Sequence, residues 1–237
     1  MRPHDVRQYG QHWRDLRPNE ASPVYTFGLD LGKLADHTAL TILRSQEGGE
    51  ETVYDAVHLE RLPLKVRYTT VVDTIKDGIE RLMASRPIPD VVLAVDYTGV
   101  GVAVLDIFLK ADLGVPIVPI AIHGGFSVVH EDGVWRVPKA DLVSILDVLF
   151  QNGRLKLSAG SPNVADLRKE LQSFRKTFTK LGHATFGADE RWREAPHDDL
   201  VLSAAIACWA AEHARPARWA PMSPEVSAWF REAGVAT

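Results

Sequence analysis

Residues 91–96 read VVLAVD: five apolar positions in a row with no alternation, closed by an aspartate. A strand with no polar position has no face to give to water, so it belongs in the middle of a sheet covered on both sides. Everything around it has to supply that cover. Upstream, residues 24–44 (VYTFGLDLGKLADHTALTILR) contain a β-prone apolar run that ends at Asp30, a Gly-containing connection over 32–37, and a second strand over 38–43. The short connection makes the pair a hairpin. A third strand follows over 52–59, and residues 67–85 place Val71, Val72, Ile75, Ile79 and Leu82 at helical spacing before Pro87 and Pro89 stop the helix.

After Asp96 the segment YTGVG turns the chain into a helix over 102–110, and a strand over 115–122 carries two prolines that favour an edge or a strand end. Residues 124–137 read as a loop or small hairpin turning at Glu131-Asp132-Gly133, and a helix over 138–151 begins at a proline and ends at Asn152-Gly153. A short strand is expected over 154–157, a helix over 165–174, a β-prone pair over 177–186 turning at Leu181-Gly182, and a helix over 197–213 capped by Asp198 or Asp199. Strands and helices in this order predict a mixed sheet with helices on its faces. Residues 1–22 mix charges and prolines and read as a flexible arm or linker remnant, 23–213 as one domain, and 214–237 as a tail.

Composition narrows the chemistry. A net charge of -4 argues against a protein that coats nucleic acid by bulk electrostatics, but a local basic strip can still meet a phosphate backbone. The single cysteine, Cys208, forms no internal disulfide and rules out a cysteine-rich zinc site, which points to a reducing compartment. The first twenty residues carry no apolar signal core, and no apolar run is long enough to cross a bilayer.

Two of the strands end in aspartate, Asp30 and Asp96, and the last helix opens on Asp198-Asp199. Either strand-end acid could simply cap its own turn. Ligands of such sheets, however, gather beyond the carboxyl ends of the strands. If the last helix starts over that rim, three acidic positions far apart in sequence meet there. Carboxylates crowded in this way raise one another's pKa unless cations intervene, and Mg²⁺ or Mn²⁺ suit oxygen ligands better than zinc does. The densest basic strip, Arg168, Lys169, Arg175, Lys176 and Lys180, is interrupted by Phe174 and Phe178. Together with Lys139 it reads either as a DNA-backbone contact or as a solvated helix face. His197, just before the acidic pair, is a candidate to orient a water or touch phosphate.

The segments GLDLGKLADHTALTIL, VLAVDYTGVG and PHDDLVLSAAIA, in that order, resemble the nuclease domain of the large subunit of viral DNA-packaging terminases, over residues 24–213. The resemblance implies an α/β, ribonuclease H-like mixed β-sheet flanked by helices on both faces, in the RuvC-like group. It implies a metal-dependent endonuclease that cuts double-stranded DNA during viral genome packaging by two-metal hydrolysis. Asp30 would bridge two Mg²⁺ or Mn²⁺ ions roughly 3.5–4 Å apart. Asp96 would hold one ion and Asp199 or Asp198 the other, with Asp199 favoured as ligand and Asp198 as cap or neighbour. The implied partners are double-stranded DNA and, in a packaging motor, the ATPase domain, the small terminase and the portal, with no membrane, in the host cell cytoplasm. No G-x-x-x-x-G-K-[ST] phosphate loop is present in the sequence, so the motor ATPase half is expected to be missing from this chain, which is either an excised domain or a separate nuclease. Rival readings are a RuvC-like junction resolvase or transposase-type nuclease, an actin-like phosphotransferase using DLG, and a non-catalytic packaging module.

Overall fold

The hairpin and third strand form as β1 (Val24–Asp30), β2 (Ala39–Gln46) and β3 (Val53–Arg61), each antiparallel to the one before it. The structure is a computed structural model that describes residues 23–32, 36–46, 51–84, 90–98, 100–158, 160–180 and 198–214, with side chains as far as 172 in the sixth of these stretches. The expected arm at 1–22, all of the expected tail beyond Ala214, and His197 lie outside the described residues.

From β3 the chain crosses through α1 (Tyr68–Met83) to β4 (Asp90–Asp96), the apolar run, which pairs parallel to β1 on the side β2 leaves free. Helix α2 (Val102–Lys110) then leads to β5 (Ile117–His123), parallel to β4. A two-residue turn joins β6 (Val129–Glu131) to β7 (Val134–Pro138), and both turn residues have positive φ, Asp132 at 51° and Gly133 at 72°. That conformation matches the twist of a tight hairpin, and Asp-Gly tolerates it best. Helix α3 (Lys139–Gln151) returns the chain to the far edge, where β8 (Leu155–Leu157) pairs parallel to β3. Helices α4 (Val164–Lys180) and α5 (Asp199–His213) complete the described elements. The eight strands form one sheet in the order β6-β7-β5-β4-β1-β2-β3-β8.

The apolar side chains fall into two clusters, one on each face of that sheet. Phe27, Leu29, Leu40, Ile42 and Leu93 pack under α1 and α2, while Ala39, Leu43, Val92, Ala94 and Ile120 pack under α3, α4 and α5. Both neighbours of every central residue therefore point into protein, as the unbroken apolar run requires. Helix α5 is buried nearly all round and lies close on the sheet because its inner positions are alanines. A Cβ on Gly28 of β1 would stand 2.5 Å from the Ala207 amide nitrogen and 2.6 Å from its methyl carbon. Thr41 and Ser203 exchange a buried hydroxyl hydrogen bond at 2.9 Å across the same contact.

Three details depart from the sequence expectation. Strand β3 runs to Arg61, two residues past Leu59, after a bulge at its pairing with Ile42 and Leu43. Strand β5 is flanked by β4 and β7, yet β7 pairs only from Ile120 onward, so the missing N–H of Pro119 faces no partner on that side. Residues 177–180, expected to be β-prone, continue α4. Leu167, Leu171, Phe174 and Phe178 keep a helical period there that outweighs the β-branched threonines, whereas 181–186 lie outside the described residues.

The far end of α5 is pinned by charge. Arg154 donates to Glu212 at 2.7 Å and to the Thr52 carbonyl at 2.9 Å, and Tyr54 donates its hydroxyl to the same Glu212. Arg154→Ala leaves Glu212 half-buried without its cation. We expect it to lower unfolding stability by about 2 kcal/mol in urea titration, the scale of hydrogen bonds to charged groups.

Candidate active site

Asp30 and Asp96 are paired residues at the carboxyl ends of adjacent parallel strands. Alternation along β1 puts Asp30 on the side of Gly28, the side against which α5 packs, and Asp96 likewise shares the side of Val92 and Ala94. The register then continues through Ala39 to Arg61. One transverse row of the sheet thus reads Asp96, Asp30, Ala39, Arg61. Asp199 is the first residue of α5 and Asp198 its N-cap position, so the acidic pair is delivered to the same rim by the helix that lies on Gly28.

Burial and charge act together on this group. Asp96 and Asp199 are 9% and 7% exposed. The Asp30 carboxyl is pushed well above the usual carboxylate range, first by desolvation and then by the charges of Asp96, Asp199 and Asp198, against the opposing pull of Lys139. Asp96 is also raised, chiefly by burial, although the Thr98 hydroxyl and backbone N–H, the latter at 2.8 Å, donate to its Oδ1 and draw it back down. Lys139, the first residue of α3, holds Asp198 Oδ2 at 2.8 Å, and Arg61 Nε stands 3.7 Å from Asp199 Oδ2. Two cations therefore face four aspartates, and one of these cations, Arg61, is shared with Glu170. The excess negative charge and the all-oxygen donor set fit a hard divalent cation.

Among the described residues, no three acidic, histidine or cysteine side chains are already closed around a single point as a finished metal site would be. The reason is visible in their partners. Asp198 is turned to Lys139 and one oxygen of Asp96 is turned to Thr98, so side-chain rotation would have to accompany ion binding.

The structure brings together Asp30, Asp96, Asp198, Asp199 and Lys139, although sequence grouped Lys139 with the DNA strip. Arg168 and Lys169 are exposed on α4, where Lys169 pairs with Asp166 at 2.9 Å. The backbone of Arg175, Lys176 and Lys180 is helical, and their side chains lie outside the described residues. Asp198 occupies the N-cap position expected of it, but its side chain makes no cap hydrogen bond. Sequence reasoning missed Arg61 and Glu170. A lone arginine after a strand and a glutamate inside a charged helix carry no local signal of a shared site. Also missed was a cleft of about 450 Å³ lined by Gly32, Thr38, Tyr68 and Ile107 together with exposed Lys65 and Arg67, in which the Tyr68 hydroxyl donates to the Gly32 carbonyl.

No model of a known protein family matches the sequence, and no curated protein matches it. Solved structures do match. The human cytomegalovirus terminase nuclease domain, soaked with Mn, superposes with a TM-score of 0.51 at 13% identity, over 87% of this chain and 95% of that one. The large terminase nuclease of the thermophilic phage G20c gives 0.48 at 22% identity over 81% and 84%, and RuvC of Thermus thermophilus gives 0.36 at 17% identity over 80% and 94%. At such identities it is the architecture that is shared. The chain has a ribonuclease H-like fold, an eight-stranded mixed sheet between two layers of helices, of the kind found in the cytomegalovirus terminase nuclease domain.

Proposed function

We propose that this chain is a Mg²⁺- or Mn²⁺-dependent endonuclease that hydrolyses phosphodiester bonds of double-stranded DNA, and that it works in viral genome packaging beside an ATPase domain, a small terminase and a portal. The observation that carries the reading is the cluster of acids at one rim of the sheet. Asp30, Asp96 and Asp199 come from three segments distant in sequence and stand at one rim, where burial first, and then the charges of its acidic neighbours, push the Asp30 carboxyl well above the usual carboxylate range. A fold has no structural use for such repulsion. The likeness to terminase nuclease structures supports the same reading at the level of fold.

Asp30, whose carboxyl feels the charges of both Asp96 and Asp199, would be the shared ligand of the bound ions, and Asp96 and Asp199 would complete their hold. Asp198 is the weaker candidate because Lys139 already holds it. Bound divalent ions would supply the positive charge that activates a water and stabilises the departing 3′ oxygen. The protein's part is to hold the carboxylates on a rigid strand pair and helix start, to keep the rim partly dry, and to present the exposed Arg168 and Lys169 of α4 to the phosphate backbone.

The direct test is plasmid DNA incubated with the protein and Mn²⁺ or Mg²⁺. Cleavage abolished by EDTA is expected; intact plasmid at every metal concentration overturns the reading. Lys139 supplies a second check. Its charge lowers the proton affinity of both Asp30 and Asp96, so in Lys139→Met these acids hold their protons to higher pH, and protons compete with the metal. Calorimetric titration should therefore find Mn²⁺ binding by this variant weakened most in mildly acidic buffer and restored as the pH rises.

A further inference from the structure

Helix α5 lacks a cap of its own, and the missing acceptor comes from another helix. Glu170 of α4 is 8% exposed, and its Oε2 accepts the backbone N–H groups of Leu200 and Val201, both at 3.1 Å. These are orphan donors of the first turn of α5, immediately after Asp199. The other oxygen of Glu170 takes the Arg61 guanidinium, and Arg61 reaches on to Asp199. One oxygen of this buried carboxylate is thus engaged by two helix N–H groups, and the other lies against the arginine as an ion pair.

We propose that Glu170 and Arg61 are positioning residues: together they fix the start of α5 so that the Asp199 carboxylate faces Asp30. Two separate jobs follow from the contacts. Glu170 fixes the height and rotation of the first turn through the backbone, and its negative charge holds Arg61 partway between two carboxylates. Without that charge, Arg61 would close fully onto Asp199 and compete with a cation there. The row register explains why an arginine at this place matters: Arg61 ends the same transverse row as Asp30 and Asp96, one strand beyond Ala39, whose methyl leaves room for its side chain to lie over the sheet toward α5. The clamp also joins α4 to the acidic rim.

The metal arm of this proposal rests on the nuclease reading; the backbone arm does not. The experiment pairs Mn²⁺ titration calorimetry with hydrogen exchange on the whole chain, comparing Glu170→Ala, Glu170→Gln and, as a control on the exposed face of α4, Gln172→Ala. Glu170→Ala is expected to weaken Mn²⁺ binding by about tenfold or more, the usual effect of losing a residue that orients a ligand. It should also speed exchange at the Leu200 and Val201 amides while leaving β1 and β4 protected. Glu170→Gln keeps an acceptor for the two N–H groups but frees Arg61, so exchange there stays slow while Mn²⁺ affinity still falls. Gln172→Ala changes neither. Unaltered Mn²⁺ affinity in both Glu170 variants overturns the proposal. If Glu170→Ala loses protection throughout the sheet, Glu170→Gln decides. If the wild-type chain binds no Mn²⁺, the nuclease reading falls, and exchange at Leu200 and Val201 still decides whether Glu170 holds the start of α5.

Discussion

Asp30→Asn is expected to abolish plasmid cleavage, by at least about 10³-fold, and at the same time to make the metal-free protein more stable near neutral pH. The first effect follows from removing the central charge around which the ions are assigned, a loss of about 4 kcal/mol of transition-state stabilisation or more. The second follows from the proton balance. Asp30 holds its proton to higher pH in the folded chain than the roughly 3.9 of an unfolded aspartate. Between those two values the folded state binds more protons than the unfolded state, so stability is greatest below the unfolded pKa and falls as pH rises through the folded one. Asparagine cannot ionise and removes that slope. Thermal unfolding across pH, with and without Mn²⁺, reads both: wild type should gain from Mn²⁺ at neutral pH, and Asp30→Asn should start higher and gain little. A variant that cuts DNA as well as wild type would show that Asp30 is not at the chemistry.

The second large effect is expected far from any charge, at Gly28→Ala. One added methyl would meet the Ala207 backbone and methyl at 2.5 and 2.6 Å, and the Ser203 carbonyl as well. Backbone atoms of a helix buried on all sides cannot step aside as the tip of a flexible side chain can. The helix must lift from β1, opening the Thr41–Ser203 hydrogen bond and moving Asp199 relative to Asp30. We expect a loss of about 3 kcal/mol or more in urea unfolding, at the upper end for overpacking a core. Nuclease activity should fall more than the remaining folded fraction accounts for, because the same helix carries the acid. Ala207→Gly in combination with Gly28→Ala removes only the methyl contact and leaves the closer Ser203 carbonyl and Ala207 amide in place, so it should recover no more than a small part of the loss.

Much of the architecture could be read without coordinates because it depends on local pattern. The unbroken apolar run before Asp96 required a covered central strand, and the periods of α1 and α3 were plain in the spacing of their apolar residues. Strand β3 outlasts its expected end because Glu60 and Arg61, polar as they are, find partners. In the sheet they are paired to Leu40 and Ala39, and a strand's length is set by its neighbour as much as by itself. In the continuation of α4 two local signals compete: its threonines favour extended backbone, while the spacing of its apolar positions favours the helix that forms.

That acids close two strands and open a late helix is legible in the chain alone, since strand ends and caps are local matters of burial and turn chemistry. That these acids meet at one rim depends on strand register, on the parallel pairing of β1 with β4 and on the close seating of α5 on Gly28, agreements between segments as far apart as Gly28 and Ala207. The same long-range agreements set the contacts of Lys139, Arg61 and Glu170. A cation's work depends on which carboxylate it meets across space, and no spacing along the chain records that meeting.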